Sequence, residues 1–197
     1  MTKHLQPSEQ DFEKMHGQLV DLLAKRSARI GEFTLASGAR STLYIDARMT
    51  AMSPEGLVLI GQLGMREITA AGWNPDSVGG LTLGADPVAY AIAYASAATE
   101  RPIRAFTVRK EAKTHGTGKL IEGPFDPADR VVIIEDVITT GGSAIKAITA
   151  VKNTGARILG VISLVDREEG GREKIEAQGY GVHSLARASE IVARVGA

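Results

Sequence analysis

Cysteine does not occur in the 197 residues, which excludes disulfides and thiolate metal sites. An excess of charge of either sign is also missing. Lys+Arg and Asp+Glu balance at 23 each, so no global field holds nucleic acid and a bound anion must meet a local concentration of positive charge. No apolar run reaches the ~20 residues of a membrane helix. The opening stretch "MTKHLQPSEQDFEKM" lacks the apolar core of a signal peptide. The chain is therefore expected in the cytoplasm. Metal-ligand spacing is missing too: His4, His16 and His183 are scattered and read as surface or partly buried side chains. The lone tryptophan, Trp73, stands beside Gly72 and Pro75 and reads as a packing plug.

What is present suits an ordinary globular core. Hydrophobic residues make up 44% and charged ones 23%, and the length fits one domain spanning 1–197. From Ser8 to Arg29, Phe12, Met15, Leu19, Leu22 and Leu23 follow the three-and-four spacing of an amphipathic helix. Ser53 as N-cap and Pro54 at the first helical position open a second helix that runs to about Ala71. "SVGGLTLGADP" reads as a short buried strand, a glycine turn and a helix from near Asp86. "RAFTVRK" is strand-like, and "RVVIIED" is a β-branched run with charges only at its ends, as in a central parallel strand. Ser143 to Thr154 is helical and Gly155 is placed to end it. "RILGVISLVDR" is another buried strand, followed by helical "GREKIEAQG", a short strand at "GVHSLAR" and a last helical turn.

This alternation implies an α/β fold with a central parallel sheet and helices on both faces. In such sheets ligands bind beyond the carboxyl ends of the strands. That expectation sets three charged tails side by side: "VRK", "IED" and "VDR". The N-terminal helix and "FTLASGARSTLYIDAR", roughly 1–50, are expected to form a hood on the same domain.

The stretch "VVIIEDVITTGGS" contains an apparent contradiction. Gly141 and Gly142 allow consecutive N–H groups to turn inward on an anion, and the helix that follows adds its positive end. Thr139, Thr140 and Ser143 add hydroxyl donors. On the turn alone, an N-cap serine in a tight strand-to-helix connection explains the residues equally well. A Walker-type site needs G-x-x-x-x-G-K-[ST], and this turn has no lysine; the imitation "KTHGTGKL" ends in Leu120. A Rossmann G-x-G-x-x-G is absent.

Two carboxylates, Glu135 and Asp136, stand immediately before this anion-seeking turn. A ribose 5-phosphate reconciles the two polarities. Its phosphate sits in the turn, and its 2- and 3-hydroxyls donate to the acids at roughly 1.5–3 kcal/mol per charge-assisted bond. Near the anomeric carbon the acids also stabilise positive charge that develops as the glycosidic bond breaks. The stretch resembles the signature of type I phosphoribosyltransferases: a hydrophobic strand, two acids, two variable residues (here Val137 and Ile138), then Thr and Gly. That resemblance implies phosphoribosyl pyrophosphate as a substrate, bound by residues 135–143.

"VRKEAKTHGTGKLIEG" gathers Arg109, Lys110, Lys113, His115 and Lys119 against Glu111 alone before Glu122. Its glycines at 116, 118 and 123 make it a poor helix and a mobile segment, here about 109–123. Such a loop can close over an anionic leaving group, exclude water and then release product. Within the superfamily "RK-x-x-K-x-H-G" resembles the orotate-specific family. By that resemblance Arg109, Lys110, Lys113 and His115 hold the pyrophosphate end; Lys113 is the catalytic loop cation, and Asp136 is the other catalytic residue. The loop reaches the neighbouring subunit in that family, implying a homodimer. The activity implied is orotate to orotidine 5-phosphate, within UMP biosynthesis.

The family's base contacts correspond here to Thr139 and to Arg167, at the end of "SLVDR". A guanidinium also suits the orotate carboxylate on chemical grounds; the plainer reading is a surface ion pair of Arg167 with Asp166 or Glu168. "FTLASGARSTLYIDAR" resembles the family's hood, with Ala36 where many members carry lysine and Arg40 nearby. Thr82-Leu83 stands where many members have Tyr-Lys. Mg²⁺ is implied, held mainly by substrate and water with the acids assisting and no direct protein-only site. Two other readings stay open. One is the same transfer to another base. The other is a non-catalytic sensor of phosphoribosyl pyrophosphate, which would need a basic extension this neutral chain lacks.

Overall fold

The computed structural model describes residues 7–34, 40–111 and 119–195. Lys113, His115, Ala36 and His4 lie outside the described residues. The first helix, α1 (Glu9–Arg26), opens on a reciprocal cap in which the Ser8 hydroxyl accepts from the Asp11 amide and the Asp11 carboxylate accepts from the Ser8 amide. It buries Leu19, Val20, Leu23 and Ala24. The helix stops three residues before Arg29. Ser27 caps it and its hydroxyl bonds Thr50 at 2.7 Å, which turns the chain into an extended segment. That segment is β1 (Ala28–Thr34), paired antiparallel with β2 (Arg40–Ile45) as a separate two-stranded sheet. A short α2 (Arg48–Ala51) precedes α3 (Pro54–Ala70), where the Ser53 hydroxyl accepts from the Gly56 amide as the sequence predicts.

The main sheet follows. β3 (Ser77–Leu81), α4 (Ala85–Ser96), β4 (Arg104–Val108) and the two-residue β5 (Ile121–Glu122) make its first half. β6 (Arg130–Ile138), α5 (Gly142–Lys152), β7 (Arg157–Asp166), α6 (Gly171–Glu176), β8 (Val182–Arg187) and α7 (Ala188–Val192) make its second. Strand order is β5-β4-β3-β6-β7-β8, parallel throughout except for β5.

β6 is the central strand, and its side chains alternate between two cores. Val132 and Ile134 join the cluster under α1, α3 and α4; Val131 and Ile133 join the cluster under α5 with Ala144 and Ile148. Burial on both faces explains the unbroken β-branched run. Trp73 packs edge-on against His183 at 5.0 Å and fills the first core, and His183 is half-buried and bonded to Glu67.

The topology corrects one expectation. β3 lies between β4 and β6, so "VRK" is not beside "IED"; only "IED" and "VDR" are neighbours. The glycine-rich "SVGGL" strand is the insert, and nothing in strand patterning dictates its place. The sequence also did not reveal β5, which is too short for a period. Among the described residues no helix is long and apolar enough to cross a membrane.

Candidate active site

The carboxyl end of β6, the turn that follows it and the start of α5 line a cavity of about 200 Å³. It is lined by Glu135, every residue from Val137 to Ser143, and Lys146. Every signature residue except Asp136 thus converges on one space. Lys146 is the addition that the sequence reading missed; it stands three residues beyond the signature, on the next helical turn.

The turn is built for bare amides. Gly141 is the N-cap of α5 with φ at 78°, a left-handed value that favours glycine, and it makes no side-chain cap. Ser143 lies inside the helix instead, so the plain capping reading of that serine fails. The first amides of an α-helix have no partner within it, and here no side chain takes the cap position. They carry the positive end of the helix dipole into the cavity. The turn is held tightly from below: a Cβ on Gly171 would lie 2.3 Å from the Thr139 carbonyl oxygen.

The two acids differ in setting. Glu135 is 5% exposed, and its Oε2 is buried with no hydrogen-bond partner. Burial first, and then the adjacent Asp136, push its carboxyl well above the usual range. A buried orphan oxygen costs about 1–3 kcal/mol, so the cavity presents an unmet demand for a donor. Asp136 points away to the α4 side and is half-buried. Its carboxylate touches the α-carbon of Gly84, in the turn between β3 and α4. That turn contains a cis Thr82–Leu83 peptide bond. It is braced by Asp86, which is buried and accepts from the Thr82 hydroxyl at 2.7 Å and the Thr107 hydroxyl at 2.9 Å.

Other predicted residues lie apart from the cavity lining. Arg109 follows β4; its amide donates to the Leu120 carbonyl and its guanidinium lies 3.5 Å from Glu122. Lys110 and Lys119 are exposed at the two stems of the loop. Arg167 is 7% exposed, so it is no surface residue. Its Nη2 donates to Glu169 at 2.6 Å and to the Leu43 carbonyl of β2 at 3.1 Å. The alternative partners Asp166 and Glu168 are not the ones it takes. Glu168 turns its carboxylate to the Ser189 amide, and Asp166 accepts from the Glu168 amide. Arg167 therefore ties the end of β7 to the β1–β2 hairpin. Arg40 begins β2 and is exposed.

Comparison with known proteins agrees with this geometry. The phosphoribosyl transferase domain model matches residues 54–186. The orotate phosphoribosyltransferase of Aquifex aeolicus is 47% identical over 178 residues, covering 89% of this chain and 96% of that protein. The Synechocystis enzyme of the same name is 43% identical over 88% of this chain and 86% of its own. A Mycobacterium tuberculosis orotate phosphoribosyltransferase crystal structure, in complex with 5-phospho-α-D-ribosyl 1-diphosphate, superposes with a TM-score of 0.75. It is 40% identical and covers 90% of this chain and 99% of that one. The chain belongs to the orotate phosphoribosyltransferase family of phosphoribosyl transferases.

Proposed function

We propose that this chain transfers ribose 5-phosphate from phosphoribosyl pyrophosphate to orotate, giving orotidine 5-phosphate and pyrophosphate, a step of UMP biosynthesis. The observation that carries the reading is the pairing of an uncapped helix end with the orphan oxygen of Glu135 in one cavity. An anion alone would be repelled by the acid, and a sugar alone would leave the amides unmet. A phosphorylated diol meets both.

In this reading the amides and hydroxyls of Thr139 to Ser143 hold the 5-phosphate, and Glu135 and Asp136 accept from the ribose hydroxyls. The bond from C1 to pyrophosphate breaks with positive charge growing on the ring, which the nearby carboxylates stabilise. Orotate is already anionic and attacks C1 without a dedicated base. Arg167 and Thr139 hold the base, with Arg167 kept rigid by Glu169 and the Leu43 carbonyl. Arg109, Lys110, Lys113 and His115 meet the pyrophosphate, and Lys113 is the loop cation that acts most strongly as the bond breaks.

Mg²⁺ fits as a substrate-borne ion. Substrate and water would hold it in the main, with the half-buried Asp136 carboxylate able to assist. A bound ion would supply charge neutralisation for the pyrophosphate oxygens.

The chain works as one domain over 1–197, with the segment to about residue 50 as hood and 109–123 as catalytic loop, in the cytoplasm. A homodimer is supported by an apolar outer surface on α3 and α4: Val58 and Tyr94 are 65% and 85% exposed, and Leu57 and Tyr90 are exposed beside them. The decisive assay follows orotate absorbance with and without phosphoribosyl pyrophosphate. Orotate loss that depends on the second substrate supports the reading. Preferential use of a base without a carboxylate would replace orotate with that base.

A further inference from the structure

Among the described residues lining the cavity, Lys146 is the one cation. It lies on α5 three residues after Ser143 and four after Gly142, so all three share a helix face. Side chains on a helix lean toward its N-terminus. The long stem of Lys146 therefore carries its ammonium back toward the open amides. Lys146 is exposed, and among the described residues it makes no ion pair.

A charge balance shows what is missing without it. A phosphate monoester carries about −1.5 to −2 at neutral pH, whereas a helix N-terminus offers roughly +0.5. About 1 to 1.5 negative charges remain uncompensated. Glu135 stands in the same cavity and Asp136 beside it, and ionisation of either adds to the repulsion. Arg109 and Lys110 follow β4, which β3 separates from β6. Lys146 is the group placed to close the deficit at the sugar's tail.

We infer that Lys146 binds the 5-phosphate and sets the preference for phosphorylated ribose over ribose itself. This rests on the proposed transferase reading of the cavity. Lysine suits the task as a mobile point charge, which compensates a dianion without demanding a fixed two-pronged geometry. Its exposure keeps the contribution moderate and sensitive to salt.

The test is Lys146→Met, which keeps the length of the side chain and removes its charge, with Lys146→Arg as the conservative control. Steady-state kinetics should show KM for phosphoribosyl pyrophosphate raised about five- to tenfold with kcat within about twofold. Added salt should narrow the gap, because it screens the wild-type contact. The affinity of the substrate-free protein for inorganic phosphate, read by calorimetric titration, should fall by a similar factor. Lys146→Arg should restore most of both. A Met variant with unchanged KM and unchanged phosphate affinity overturns the inference, as does a loss of kcat at constant KM. The phosphate titration needs no turnover: a wild type that leaves orotate untouched refutes the transferase reading, and the titration still decides Lys146.

Discussion

The carboxylate of Asp136 rests on the α-carbon of Gly84. A Cβ built at that glycine would lie 2.3 Å from Oδ2 and 2.4 Å from Oδ1. Two neighbouring strand ends, β3 and β6, are thereby fitted to one another beside the cavity. The contact explains why the turn tolerates no side chain at 84, although its φ of −63° is open to any residue.

Gly84→Ala should therefore act as an active-site mutation. The methyl group forces Asp136 aside by an ångström or more, and a displacement of that size costs about a hundredfold in turnover. Circular dichroism should stay native while kcat/KM falls. A variant with native spectra and wild-type kinetics contradicts the assigned place of Asp136.

Asp136→Asn removes the charge and keeps the shape. Both KM for phosphoribosyl pyrophosphate and kcat should worsen, because in the proposed reading the group meets hydroxyls in the ground state and a developing cation at the barrier. Normal kinetics in this variant would remove Asp136 from the chemistry.

Asp86 supports the turn from behind. Its two oxygens each take one threonine hydroxyl, from Thr82 in the turn and Thr107 in β4. Asp86→Ala removes the acceptor of two half-buried hydroxyls, of which that of Thr107 keeps Tyr90 as a partner, at about 0.5–1.5 kcal/mol in stability. The melting temperature should drop, and kcat/KM should fall, because the turn that carries Gly84, against which Asp136 packs, is no longer held through Thr82. A fall in stability with an unchanged kcat/KM confines Asp86 to a structural role.

Much of this site was legible in the residues, for a local reason. The strand, acids and glycine turn from Val131 to Ser143 are contiguous, so their chemistry is read without knowing the fold. The capped start of α3 was legible likewise, since Ser53 and Pro54 are adjacent. Contacts that cross the chain were not. The Arg167 bond to Leu43 spans 124 positions, and the insertion of β3 between β4 and β6 follows from packing. Lys146 escaped because a lysine on an exposed helical position is ordinarily solvent-facing; its i+3 spacing from Ser143 was the available signal.

Arg167→Lys tests the base end. Lysine retains the charge and loses the planar fork, so KM for orotate should rise about tenfold or more while KM for phosphoribosyl pyrophosphate changes little. Equal effects on both substrates would instead assign Arg167 to holding the β1–β2 hairpin.

Glu135 makes the empty protein sensitive to pH. Its carboxyl titrates well above the ordinary 4.5, mainly through burial. The folded state then binds a proton that the unfolded chain has released, so stability is full below about 4.5 and declines as pH rises through the folded value. Glu135→Gln should flatten that decline and raise the melting temperature at alkaline pH, while weakening substrate binding. A variant with the same pH–stability curve as the wild type contradicts the buried, orphaned setting of this acid.

The central claim is that one cavity takes the phosphate on the amides of residues 139–143 and the ribose hydroxyls on Glu135 and Asp136. Crystals soaked with phosphoribosyl pyrophosphate test it most directly. The account predicts electron density for the 5-phosphate over Gly141 to Ser143 with the 2- and 3-hydroxyls toward the two acids. Density for the compound in the opposite orientation, or at another place on the protein, would contradict it.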